Sequence, residues 1–213
     1  AAATLLFTLQ FTVQARSAQI DGTLIGIMTL ASYGLLRHLL LGPNWRWFWI
    51  GCFAAGFGTI TKGVAFLALF LIPLALLGRR LGWQGLPARQ PVDIPRAALA
   101  ALAFVGAVAL WLVPMLWAVW SNNNPEYNAY ARDILFGQTA TRYLDPTHHI
   151  LPPWYFLGVI VTLWLPTTFA LIWMIPHWWR GWRRGQRPAH VWLPLTYVVL
   201  IVALAVGYHW PKA

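Results

Sequence analysis

Four cations, Arg16, Lys62, Arg142 and Lys212, stand apart from the basic clusters that separate the apolar runs of this chain. Lys62 is the most telling. It interrupts the apolar run Trp45–Gly78, whose only other cation is Arg46 near its start. A lone Lys there is costly in a membrane unless it reaches an interface or an anion. Cations placed in this way suit chemistry in which a phosphate is held, or departs with added negative charge. Each also has a plainer reading. Lys62 could snorkel to the surface, and Arg142 could anchor a loop to lipid headgroups. Arg16 and Asp21 bracket Ala15-Arg16-Ser17-Ala18-Gln19-Ile20-Asp21, where Asp at a helix start complements the dipole. Tyr143 and the pair Trp154-Tyr155 are most simply interfacial aromatics. His148-His149 is a weak metal signal, because adjacent side chains rarely converge on one ion. It leaves a divalent metal open as a cofactor and establishes none.

The elements that must position these residues are membrane spans. The sequence is 59% hydrophobic and only 9% charged, with a mean hydropathy of +0.59, too little polar sequence to build the exterior of a soluble domain. The net charge of +10 would suggest nucleic acid as a partner, but the basic residues interleave with spans and are better explained by membrane orientation. Nucleic acid is therefore not expected. The single Cys52 excludes an intrachain disulfide. Trp45, Trp47, Trp49, Trp178, Trp179 and Trp182 cluster near span ends, as an aromatic belt does.

Hydropathy and charge predict a path. Ala1–Val13 is the tail of a span, followed by a loop at Gln14–Gln19, and Ile20–Leu41 crosses back. The run Trp45–Gly78 is expected to form two short helices turning at Thr61-Lys62-Gly63 rather than one tilted helix. The hairpin keeps Arg37 and Arg46 on the same side as Arg79 and Arg80, and Gly58 and Gly63 ease the turn. Arg79–Arg96 is read as a loop, Ala97–Trp120 as a crossing, and Ser121–Leu151 as a long polar loop with a short interfacial helix at Pro125–Gly137. Pro152–Pro176 crosses, His177–His190 is a basic loop, and Val191–Gly207 crosses last. The fold class expected is all-α: a polytopic transmembrane helical bundle in one domain over residues 1–213, with about seven spans counting the first, truncated one. The absence of an initial Met, the short opening run and the end just after a span suggest an internal fragment of a larger protein, inactive by itself.

This path sorts the charges. Arg37, Arg46, Arg79, Arg80, Arg89, Arg96, Arg180, Arg183, Arg184 and Arg187 fall on one side, which the positive-inside rule makes cytoplasmic. Of the five acids, only Asp93 joins them. Arg16, Asp21, Lys62, Glu126, Arg132, Asp133, Arg142, Asp145, His148, His149 and Lys212 fall on the other. A transporter would keep charges near the midplane. Charges gathered at an interface suit an enzyme acting on a lipid-linked phosphate.

In their order and spacing, Ala15-Arg16-Ser17-Ala18-Gln19-Ile20-Asp21, Thr61-Lys62-Gly63, Arg142-Tyr143, His149 and Pro153-Trp154-Tyr155 resemble the polyprenyl-phosphate-sugar glycosyltransferases. The branch resembled contains the lipid A aminoarabinose transferase and the protein O-mannosyltransferases. The closing Tyr208–Lys212 segment is similar to that family's loop carrying a Lys before the next span. The resemblance implies a GT-C fold in a bacterial inner membrane, with a periplasmic active face. It implies a polyprenyl-phosphate-linked sugar donor and a lipid A, glycan or protein acceptor. Lys62, Arg142 and Lys212 would then bind the lipid phosphate, with Arg16, Asp21 and Tyr143 at the sugar pocket. Asp21 could polarise a hydroxyl, but no general base is assigned, since the family's key acids lie in an outer loop preceding this sequence. Gln138-Thr139 stand where the family often carries an acid followed by Asn or His, which weakens a metal site there. The alternatives are another lipid-carrier enzyme, such as an O-antigen ligase or polymerase, and a non-enzymatic transporter or lipid scramblase.

Overall fold

The computed structural model describes residues 12–13, 20–88, 91, 93–122, 125–135, 152 and 154–209. Their order is α1 (Ile20–Leu41), α2 (Trp45–Lys62), a 3-10 helix (Ala65–Phe70), α3 (Leu71–Arg80), α4 (Ile94–Asn122), α5 (Pro125–Arg132), α6 (Tyr155–Leu163), α7 (Thr167–Arg183) and α8 (Ala189–His209). Among the described residues the only strand-like pairing is an isolated bridge between Gln84 and Pro188. Three helical stretches, Gly22–Leu41, Ile94–Asn122 and Ala189–Val206, are long and apolar enough to cross a membrane. The described residues thus form an all-α membrane bundle, in which the apolar runs Trp45–Gly78 and Pro152–Pro176 are built from shorter helices.

The α1–α2 link shows how local sequence sets the packing. Gly42 takes φ +106, Pro43 follows, and the Asn44 side chain caps α2 by accepting a hydrogen bond from the Trp47 amide at 3.3 Å. The short link makes α1 and α2 antiparallel neighbours. Glycine brings them into backbone contact: a Cβ on Gly34 would collide with the Trp47 carbonyl, and one on Gly51 would lie 3.0 Å from the Ala31 carbonyl oxygen. On its other side α2 meets α4, where a Cβ on Gly56 would collide with the Phe104 carbonyl. Lipid offers no hydrophobic drive between helices, so close approach of small residues supplies the association through dispersion. Leu102, Val105, Leu110, Val113, Trp117 and Trp120 of α4 remain exposed, as lipid-facing side chains do.

Trp45–Gly78 folds as the expected hairpin. α2 stops at Lys62, with Gly63 in the left-handed conformation (φ +73) and its amide donating to the Thr59 carbonyl at 2.7 Å. Gly58 seats the returning chain, since a Cβ there would lie 2.5 Å from the Ala65 Cβ. No atom lies within 4 Å of a Cβ built on Gly63, so Gly63→Ala costs only the strain of its backbone conformation. The expected loss is about 1 kcal/mol, read as a lower thermal unfolding midpoint of the purified protein.

The return path brings the basic groups together. Arg79, at the end of α3, lies near His38 in the last turn of α1. The Trp49 indole donates to the Arg96 carbonyl at 3.0 Å, and Arg187 Nη1 donates to the Leu81 carbonyl at 3.3 Å. One end of the bundle therefore collects Arg37, Arg46, Arg79, Arg96 and Arg187, as the charge sorting required.

Three boundaries differ from expectation. α4 begins at Ile94, because Asp93 caps it: its carboxylate accepts from the Arg96 amide and pairs with Arg96 Nε, both at 3.1 Å. The expected crossing Pro152–Pro176 is not one helix but α6 and α7, broken at Trp164–Pro166. Pro166 has no amide hydrogen to donate and disfavours helical backbone in the residue before it. The Thr168 hydroxyl donates to the Ile160 carbonyl at 2.6 Å, taking up an acceptor near the break. Finally, the expected basic loop His177–His190 is largely helical, since α7 runs to Arg183 and carries Arg180 and Arg183 in its last turn. The short helix expected within Pro125–Gly137 forms as α5.

Candidate functional site

Lys62 closes the last turn of α2, where a cation complements the partial negative charge of the helix terminus. Its side chain is exposed. The polar neighbours beneath it are taken up locally: the Thr61 hydroxyl donates to the Phe57 carbonyl at 3.1 Å and the Thr59 hydroxyl to the Ala55 carbonyl at 2.7 Å.

The depth of Lys62 follows from two contacts. Trp49 meets Arg96, and Gly56 meets Phe104 and Ala107, so α2 and α4 run parallel. Measured from the Trp49–Arg96 contact at the helical rise, Lys62 stands about 20 Å up α2, whereas α4 continues for about 39 Å to Asn122. The hairpin tip is therefore recessed beside the upper half of α4. Lys62 thus stops about 20 Å short of the far end of α4.

Asp21 joins Lys62 at this end. A Cβ on Gly58 would lie 3.0 Å from Ile27 Cγ2, which fixes the antiparallel register of α1 and α2. Beyond that contact, Lys62 is about 6 Å further along α2 and Asp21 about 9 Å further along α1. Asp21 lies in the first turn of α1; its side chain is outside the described set. α5, with Glu126 and Arg132 exposed, packs at the far end of α4. Trp154 and Tyr155 are exposed at the start of α6.

The other sequence-derived candidates, Arg16, Arg142, Tyr143, His148, His149 and Lys212, fall outside the described residues. Among the described residues no group of three or more His, Cys, Asp or Glu side chains converges as a metal site would. An open apolar groove of about 340 Å³ runs between α1, α2 and α4. Its α2 wall is Trp49, Phe53 and Phe57, spaced one helical turn apart and leading toward Lys62.

The sequence reading passed over the opposite end. There the indole ring of Trp83, only 6% exposed, covers Gly78, and the Trp83 amide donates to the Gly78 carbonyl at 2.9 Å. Gly82, Gly85 and Gly185, all at positive φ, mark the two turns that meet there and were the available signal.

With this geometry in place, comparison with known proteins gives one match. A family model described as dolichyl-phosphate-mannose-protein mannosyltransferase matches residues 1–127, which include Arg16, Asp21 and Lys62 and stop short of Arg142. No curated protein and no solved structure matches the chain.

Proposed function

The chain belongs to the dolichyl-phosphate-mannose-protein mannosyltransferase family, and from that premise we propose that it moves a sugar from a polyprenyl-phosphate carrier to a hydroxyl of a protein acceptor at the Lys62 end of the bundle. The family is one of membrane glycosyltransferases using a lipid-phosphate sugar donor. The observation that carries the placement is Lys62 itself, a cation at a recessed helix tip inside an otherwise apolar hairpin.

In the proposed reaction the acceptor oxygen attacks the anomeric carbon as the bond from that carbon to the phosphate oxygen breaks. The bonding pair leaves with the phosphate, and the acceptor proton passes to a base that is not assigned to this chain. Negative charge grows on the departing phosphate, so a cation fixed beside it stabilises the transition state more than the bound donor. Lys62 and Arg142 take that role, with Lys212 as a third cation. Arg16, Asp21 and Tyr143 face the sugar. The groove along Trp49, Phe53 and Phe57 offers an apolar bed for the first isoprene units. The family name favours a protein hydroxyl over lipid A or another glycan as acceptor.

The test is transfer of a labelled sugar from a polyprenyl-phosphate donor to a Ser/Thr-containing peptide by the purified protein. A glycosylated peptide is expected; donor hydrolysis without peptide labelling would overturn the acceptor assignment. The family match favours a transferase over a transporter or scramblase.

The hairpin also predicts accessibility. In a Cys52→Ala background, Lys62→Cys is expected to react with a membrane-impermeant thiol reagent from the side opposite that which labels Arg80→Cys. Labelling of both positions from one side would contradict the proposed sidedness of the site.

A further inference from the structure

The basic end carries a second feature, unrelated to sugar transfer. α3 ends in a tight turn in which Trp83 folds back on Gly78, and this turn docks on the segment preceding α8. The Gln84 amide donates to the Arg187 carbonyl and the Ala189 amide to the Gln84 carbonyl, both at 2.8 Å, and Arg187 Nη1 donates to the Leu81 carbonyl at 3.3 Å. Within this docked pair of turns Arg79 Nε, Trp83 Nε1 and Arg187 Nε are all buried, and none has an acceptor among the described residues.

Buried donors without acceptors are rare, because each forfeits its hydration. Here they lie on two turns that dock on each other, and two of them belong to cations. Acid is scarce around them: among the described residues Asp93 is the only acid at this end, and it is engaged by Arg96 at 3.1 Å. A ligand that answers this set offers several acceptor oxygens and negative charge. The surroundings say where such a ligand comes from. The Arg187 guanidinium stacks over Trp182 at 4.3 Å from its centroid, and Trp182 meets Trp192 at 4.6 Å. Trp rings beside Arg at the end of apolar helices mark the headgroup level of a bilayer.

We propose that the turn formed by Arg79, Trp83 and Arg187 holds the phosphate of an anionic phospholipid, with Trp182 and Trp192 against the top of its acyl chains. Arg79 and Arg187 supply charge, while the Trp83 indole supplies a directed donor. Basic pockets between helices on the positive side of a membrane recognise headgroups in this manner. The bound lipid would add to the contact between α3 and α8, which already meet through the Gln84–Pro188 bridge and share the buried core of Leu71, Ala75, Ala189 and Leu193.

The experiment is lipid titration of the purified, delipidated protein, followed by native mass spectrometry and thermal unfolding. Phosphatidylglycerol is expected to remain bound and to raise the midpoint, and phosphatidylcholine is not. The double variant Arg79→Gln/Arg187→Gln should weaken phosphatidylglycerol binding about tenfold or more, whereas Arg46→Gln, an exposed cation at the same end, should change it less than about twofold. Should the double variant misfold, Arg79→Lys/Arg187→Lys, which keeps the charge, and the two-lipid comparison on the unaltered protein still decide the matter. Equal binding of the two lipids, or unchanged phosphatidylglycerol binding by the double variant, would overturn the proposal. So would inorganic phosphate stabilising the protein as much as the lipid does, since the site would then belong to a soluble anion.

Discussion

Replacing Lys62 by Ala is expected to lower the turnover of sugar transfer by about a hundredfold or more, and Arg142→Ala by a comparable factor, as removal of one charge-stabilising donor does in other acyl and phosphoryl sites. The argument for Lys62 is one of position. A lone Lys in an otherwise apolar hairpin is expensive to keep in a membrane, and its helix would be cheaper with an apolar residue there. Its charge is useful where a phosphate arrives and then gains negative charge. If Lys62 only snorkelled, the Ala variant would insert, fold and turn over normally.

Steady-state kinetics separate a transition-state role from simple donor affinity. Loss of kcat with little change in KM for the polyprenyl-phosphate donor is expected of a cation acting on the leaving group. A raised KM with unchanged kcat would make Lys62 a docking residue alone. Lys62→Arg keeps the charge but moves it to a longer, forked side chain, so recovery of part of the lost rate is expected. Near wild-type transfer by both Ala variants would end the phosphate assignment.

The sequence made the membrane class, the hairpin and the two charged ends legible because each rests on one-dimensional signals. Hydropathy marks spans, Arg and Lys mark their ends, and Gly63 after Lys62 marks a helix stop. The recess of Lys62 beside α4 was not legible. It depends on α2 running parallel to α4 and ending early beside it, a register set by Gly56 against Phe104 and by Trp49 on Arg96. The break at Pro166 was missed for a different reason: hydropathy averages across a proline, and Pro114, Pro176 and Pro194 sit inside continuous helices, so a proline in the sequence does not say whether the helix breaks there. Gly82, Gly85 and Gly185 signal the turns at Gln84 and Pro188, but not that they dock, because they join segments a hundred residues apart through main-chain hydrogen bonds.

The same register gives the largest structural effect to be expected of a small substitution. Gly34, Gly51 and Gly56 lie inside helices, where Ala normally stabilises by about 1 kcal/mol relative to Gly. At these positions the added methyl meets backbone rather than a side chain that can turn away: the Trp47 carbonyl and Gly51 Cα at Gly34, the Ala31 carbonyl at Gly51, and the Phe104 carbonyl at Gly56. Backbone relief requires the helices to separate, and the dispersion that holds them falls steeply with distance. Overpacking therefore outweighs the helix-propensity gain, and Gly34→Leu or Gly56→Leu is expected to cost about 3 kcal/mol, the upper part of the range for overfilled cores. Gly26 and Gly106 are the internal controls. They sit in α1 and α4 with nothing within 4 Å of a built Cβ, so Gly26→Ala and Gly106→Ala should hold or slightly raise the thermal midpoint. Equal losses at all of these glycines would mean that the helix contacts described here do not set the packing. Loss confined to Gly34, Gly51 and Gly56 would tie the stability of the bundle to the contacts that hold Lys62 at its depth, so that transfer should fall in the same variants that unfold early.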